Sequence, residues 1–341
     1  MPTLGAGRAL AFMRAQFQLL IIVASALILM GSSVRAFEPG ATFYFTPGQI
    51  MGNDLAVFGP PGVYFASRFS YGTNKVPKDT LPAGVTRYVD VPIESMQFRW
   101  TTPWKLFGAS YAFTVAQSFV SRSFYNSSVK GPPAAFHSGV HNTIFSPGVL
   151  SWKFPHKVFV AAGIRFGAPD GAITGKNGLD NIGQPFWLIE PVLAFAYLDN
   201  GWDISANFLY DITTRNTISG VQNGDVIRGE FAATKHFGRF EIGPTGYFAF
   251  QTTRDTGGIG GGFNSCAIPA KGWNGCARAA KGGVGGKLGY DFGPAKAYVI
   301  VSDSVLSRGV GGADGWRVWT QIAFKLFNPL PPSPSLAMVT R

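Results

Sequence analysis

The side chains in this 341-residue sequence that could do covalent chemistry are few: four histidines and two cysteines. Acyl transfer needs a nucleophile and a base within hydrogen-bond reach, with an orienting group behind the base. His137 and His141 fall in one connecting stretch and His156 in a tight "PHK" turn. Only His236 stands on the polar side of a strand pattern, close to the turn at Gly238. No nucleophile is placed beside any of them, so no catalytic residue and no enzyme activity are expected. Two histidines in one loop are too few ligands for a metal centre, and no metal or cofactor is expected either. "GGVGGKL" (282–288) misses the first glycine of a phosphate loop and carries Leu288 where Ser or Thr belongs. Cys266 and Cys276 lie close together in a Gly-rich segment, an even pair that predicts a disulfide if the chain is exported.

What remains is a set of single charges on otherwise alternating stretches: Arg68, Glu94, Arg165, Glu190, Asp203, Arg228, Glu230 and Lys325. Arg99 joins them if a β-bulge near Ser95 shifts the phase of its strand. Residues of both signs on one face would meet across a narrow interior. They could fill it as an ion-pair network or form a constriction along a solute path; both readings stand. "IEP" sets Glu190 among apolar neighbours, so a cationic partner is required, with Arg165 first and Arg228 second.

The elements that must position these charges are strands. "WDISANFLYDI" (202–212) alternates Trp202, Ile204, Ala206, Phe208 and Tyr210 with Asp203, Ser205, Asn207, Leu209 and Asp211. This period of two is a strand signature, and Asp199-Asn200-Gly201 before it is a hairpin turn. Similar stretches occur near 62–71, 88–101, 108–122, 143–154, 158–167, 185–198, 202–212, 225–237, 239–252, 283–293, 296–306 and 315–327. The connections alternate: tight turns ("PWKLFG", "PHK", "DNG", Gly238, "GPA") follow even-numbered strands, and longer loops follow odd-numbered ones. Short periplasmic turns, long outer loops and an even strand number describe an outer-membrane barrel. The expected fold is an all-β, closed antiparallel transmembrane barrel of about twelve strands over 61–327, its apolar face against lipid.

Composition agrees. Only 14% of residues are charged, against about 25% in soluble domains. No segment after the leader is apolar for long enough to make a helical span. Residues 1–36 read as a signal peptide: Arg8 and Arg14, then "LLIIVASALILM" (19–30), then "VRA" (34–36). Losing Arg8, Arg14 and Arg35 with it lowers the formal charge from +11 to +8. The remaining basic residues are scattered rather than clustered, which argues against nucleic acid as a partner. Residues 37–60, with Phe43, Phe45, Leu55 and Phe58, lack alternation yet are too apolar to hang in water. They are expected to enter the lumen as a plug or to pack on the periplasmic rim. Residues 328–341 form a Pro-rich tail expected to be disordered.

Several segments together resemble one family: "PPGVYF" (60–65), "TTPWKLFGASYAF" (101–113), "PFWLIEPVLAFAYLDNGWDISANFLYDI" (185–212), "KHFGRFEIGPTGYFAF" (235–250), "GGKLGYDFG" (285–293) and "RVWTQIAFKLF" (317–327). They resemble the bacterial outer-membrane family labelled MetA-pathway of phenol degradation, which includes SphA-type proteins and is similar to FadL-type hydrocarbon channels. The resemblance implies a bacterial outer-membrane location and passage of small hydrophobic or aromatic compounds. Lipid and the barrel-assembly machinery are then the expected partners. Barrels of this kind usually end on an aromatic residue, whereas here Phe327 is followed by further sequence. A structural barrel that binds a partner through its outer loops is the alternative, and a lipid-active enzyme a distant third.

Overall fold

In the computed structural model, described for residues 43–75, 87–125, 133, 135–175, 181–257, 263–264, 278–308 and 314–327, period-two alternation is realised as strands almost throughout. The long ones are β1 (Gly62–Tyr71), β2 (Ile93–Leu106), β3 (Ala109–Tyr125), β4 (Ile144–Phe154), β5 (Val158–Gly167), β6 (Leu188–Tyr197), β7 (Trp202–Thr213), β8 (Val226–Phe237), β9 (Phe240–Gln251), β10 (Ala280–Asp291), β11 (Ala295–Arg308) and β12 (Asp314–Phe327). Each pairs antiparallel with its sequence neighbours, and β1 pairs with β12 from Val63 opposite Phe327 to Tyr71 opposite Val318. The sheet therefore closes into the twelve-stranded antiparallel barrel expected from the sequence. Closure satisfies every strand edge, the condition for placing strands in lipid. No described helix is long and apolar enough to cross a membrane.

The faces sort by parity. On β7, Ser205, Asn207, Leu209 and Asp211 are buried inside, while Trp202 and Ile204 are exposed on the outer surface. The outer surface is apolar around the barrel, with Phe98, Phe195, Leu288, Val299 and Ile322 among its exposed residues. Aromatic clusters mark the tight-turn end: Trp100, Trp104, Tyr111 and Phe113 pack together, as do Phe240, Tyr290 and Phe292. Such girdles belong at membrane interfaces.

The tight turns use left-handed backbone where it is needed. Asn200 and Gly201 (φ 52° and 72°) make the turn before β7, and Phe107 and Gly108 (φ 53° and 78°) make the first. That first turn corrects the expectation of a six-residue "PWKLFG" connection. The ladder instead runs through it to Lys105 opposite Ser110 and Leu106 opposite Ala109. The connection between β11 and β12, residues 309–313, is also shorter than an outer loop was expected to be. Short strands Thr73–Lys75, Tyr88–Asp90 and Ala135–Val140 extend the sheet at the long-loop end. Residues 1–36, Cys266, Cys276 and the tail 328–341 lie outside the described residues.

Candidate functional site

The interior is the candidate site, and the sheet's parity decides what reaches it. Glu190 on β6 is fully buried and hydrogen-bonded by both arginines proposed as partners, Arg165 Nε on β5 and Arg228 Nη2 on β8. Arg165 stands directly opposite Glu190 in the ladder. Arg228 also grips Asp211 (Nε to Oδ2 2.9 Å) and lies 3.3 Å from Glu230 Oε1 through Nη1. A buried guanidinium with three carboxylates around it uses its full fork of donors. The Phe45 ring lies 4.9 Å from the Arg228 guanidinium and 5.5 Å from that of Arg165, a cation–π contact to each.

Residues 43–58 run through this interior without regular structure, so their backbone polar groups need partners. The inward polar side chains supply them. Glu230 accepts from the N–H of Gly48 (3.2 Å) and of Ile50 (2.8 Å). Arg68 donates to the carbonyls of Met51 (3.0 Å) and Gly48 (3.2 Å), and Lys287 to that of Gly52 (3.0 Å). Asn207 donates to Asn53 O (2.8 Å), Ser151 to Ala56 O (2.6 Å) and Arg99 to Val57 O (3.3 Å). Tyr298 and Gln321 both donate to Asn53 Oδ1 (2.7 and 2.8 Å).

The apolar side chains of the segment dock between these contacts. Tyr44 and Phe45 pack with Ile144, Phe186 and Leu188, and Met51 packs with Tyr247, Ile300 and Trp319. Ala56 meets Ala161, Ala194 and Ala196, with Leu55 against the same cluster. Phe43 packs with Val226 and Ala249, and Phe58 lies under Arg99 at 5.3 Å. Two turns depend on glycine. Gly52 has φ 79°, and a Cβ there would meet Ile300 Cδ1 at 2.8 Å; Gly48 has φ 93° against the Tyr247 ring.

Between residues 50–59 and the wall at the tight-turn end lies a cavity of about 430 Å³, lined by Asp54, Leu55, Arg99, Asp203, Glu241 and Lys325 among others. It is partly polar and partly apolar. His236 faces it, with its ring nitrogen within 4.8 Å of ligand oxygens on Asp203 and Glu241. The Lys287 ammonium already sits 2.7 Å from Glu241 Oε1, so a cation is in place at that carboxylate. Among the described residues, no hydrogen bond joins a serine hydroxyl to His141, His156 or His236 in this arrangement. What it offers is paired charges, backbone clamps and aromatic faces.

One expected lumen residue is elsewhere. Glu94 shares its parity with the exposed Met96, Phe98 and Trp100 and bonds Ser67 Oγ (2.6 Å) on the outer surface. Arg99 reaches the interior without the bulge expected near Ser95, because β2 keeps continuous register there with both neighbours. The break falls earlier, at Val91-Pro92, and Ile93 turns inward to pack with Val120. Proline cannot donate to a ladder, which is why the strand restarts after it. Asp211, Lys281, Lys287 and Tyr298 were missed as site residues. For the lysines the reason is local: on β10 the inward set is Lys281, Gly283, Gly285, Lys287 and Gly289, too poor in other side chains to reveal a phase.

Comparison with known proteins agrees with this architecture. The family pattern described as "Putative MetA-pathway of phenol degradation" matches residues 72–313. An outer membrane channel from Pseudomonas putida, known from its crystal structure, is 9% identical with a TM-score of 0.66, covering 80% of this chain and 98% of that one. The autotransporter transport unit AIDA-I from Escherichia coli is 8% identical with a TM-score of 0.45, over 82% and 95% of the two chains. At such identities the likeness is one of fold, and only the first is strong enough to use. No curated protein matches the sequence. With the family pattern covering β2 to β11 and the closed twelve-stranded fold beneath it, the chain belongs to the family described as "Putative MetA-pathway of phenol degradation".

Proposed function

We propose that the protein is an outer-membrane channel for uptake or passage of small hydrophobic or aromatic compounds, and that residues 43–58 are its plug. The observation that carries this reading is how the segment is held. Its backbone is fastened by single hydrogen bonds to side chains from many different strands, not by a ladder, so it can be released without breaking the barrel. Its apolar side chains face an interior that also contains the cavity beside Leu55 and Arg99. A neutral ring moving along that path would exchange one apolar contact for another while the charges of the wall stay paired. In this reading the leader 1–36 is removed on export, and outer-membrane lipid covers the exposed apolar face.

Deleting 38–58 while keeping the leader tests both parts. Proteoliposomes carrying the deleted form should show higher nonspecific conductance and less preference for aromatic over sugar solutes than the intact protein. Equal conductance and equal uptake in the two forms would remove the plug. Failure of the intact protein to pass any aromatic solute would remove the channel.

A further inference from the structure

At the tight-turn end the sheet gathers three metal-ligating side chains that are separated along the chain. His236 on β8 stands opposite Glu241 on β9, and Asp203 on β7 stands opposite Thr234, two residues before His236. Residues two apart on a strand share a face. The ligand atoms of the three, one imidazole nitrogen and two carboxylate oxygens, all lie within 4.8 Å of one another. All three line the cavity of about 430 Å³ beside residues 50–59, so an ion in the cavity can reach them.

Their contacts leave the group incomplete. The His236 ring makes no hydrogen bond among the described residues. Asp203 forms no ion pair among them. Its hydrogen-bonding neighbour is a second carboxyl, that of Asp54 from the 43–58 segment, which lines the same cavity. Two carboxyls in contact need a shared proton or a cation between them. Arg99 also lines the cavity, but it donates to Val57 O and pairs with neither aspartate. Glu241 is partly satisfied: Lys287 Nζ (2.7 Å) and Thr234 Oγ1 (2.5 Å) both engage its Oε1. Its Oε2 has no donor among the described residues.

The donor set selects the ion. Imidazole with carboxylates suits zinc and similar divalent transition metals, whereas calcium and magnesium take oxygen ligands. Bonds of about 2.0–2.2 Å in tetrahedral geometry put zinc ligands roughly 3.3 Å apart. Closing to that spacing from 4.8 Å is within the reach of side-chain rotation at Asp203 and His236. We propose that Asp203, His236 and Glu241 form a binding site for a divalent transition metal of the zinc class, at the tight-turn end of the cavity beside Asp54. Three protein ligands leave a fourth position open toward the cavity. The site does not depend on the channel reading.

The test is equilibrium dialysis of the untagged full-length protein in detergent, stripped with chelator, against zinc chloride and in parallel against calcium chloride. Zinc should bind saturably. His236→Gln and Asp203→Asn should each weaken it by at least about tenfold, since losing even a partner behind a metal ligand costs that much. Cobalt in place of zinc should give a visible absorption band that both variants lose. His156→Gln, in an exposed turn, should leave binding unchanged. Unchanged heat-modifiability on gels shows that the variants fold. Absence of saturable zinc binding, or zinc binding equal in wild type and both site variants, would overturn the site. Calcium competing equally with zinc would overturn the assignment to a transition metal.

Discussion

The two walls of the lumen treat charge differently. Along β5–β8, Arg165, Glu190, Asp211, Arg228 and Glu230 are locked together, and Glu230 extends the lock to the backbone at Gly48 and Ile50. Along β10–β12, Lys287 is satisfied by Glu241, but among the described residues Lys281 and Arg317 meet neutral acceptors. The first wall has the chemistry of a structural core, where each charge exists to neutralise another. The second leaves part of its charge on neutral acceptors among the described residues. A barrel so narrow can do both because its walls are built from strands distant in sequence and separately adjustable.

That contrast predicts opposite outcomes from equally buried substitutions. Glu190→Gln should be the most damaging, leaving Arg165 and Arg228 without their shared carboxylate, at about 3–5 kcal/mol. Urea unfolding in liposomes, followed by tryptophan fluorescence, measures it; a loss below 1 kcal/mol, taken as roughly the worth of an exposed pair, would erase the distinction between the walls. Met51→Ala should cost about 2–3 kcal/mol of docking for the 43–58 segment by emptying its place between Ile300 and Trp319. Protease accessibility of the segment reads this directly, with the barrel itself remaining resistant. Lys281→Met should instead raise stability by about 1 kcal/mol, since it removes a buried ammonium whose acceptor among the described residues is the neutral Asn74. Destabilisation there would mean that the ammonium has a structural role like that of Arg228.

The smallest effect is expected at the tight-turn end, outside both walls. Asp199 lies 3.1 Å from Lys157 in a solvent-exposed pair, and the lysine's hydrogen bond holds its carboxyl below the usual value. A lowered carboxylate pKa contributes stability above the unfolded pKa and loses it as pH falls through the folded one. Water screens this exposed pair. Melting of Asp199→Asn and wild type should therefore coincide at neutral pH, any difference that exists fading in acid. A clear neutral-pH loss would show that the turn, too, belongs to the structural network.

Local sequence determined the barrel. Alternation such as Trp202 to Asp211 dictates a strand with one wet and one dry face, and "DNG" dictates where it turns, because both depend only on backbone geometry within a few residues. It also determined that Glu190 needed a cation, since a carboxylate among apolar neighbours must be neutralised wherever it lies. Tertiary structure decided the rest. Whether Glu94 faced in or out depended on where β2 resumed its ladder after Pro92, and that is set by pairing with β1 and β3 rather than by parity within the strand. That both Arg165 and Arg228 would meet Glu190 followed from strand stagger, which brings residues from β5, β6 and β8 to one height. That Lys281 and Arg317 meet neutral acceptors among the described residues was invisible for the same reason: a charge finds its partners only among neighbours across the closed sheet, and closure is a property of all twelve strands at once.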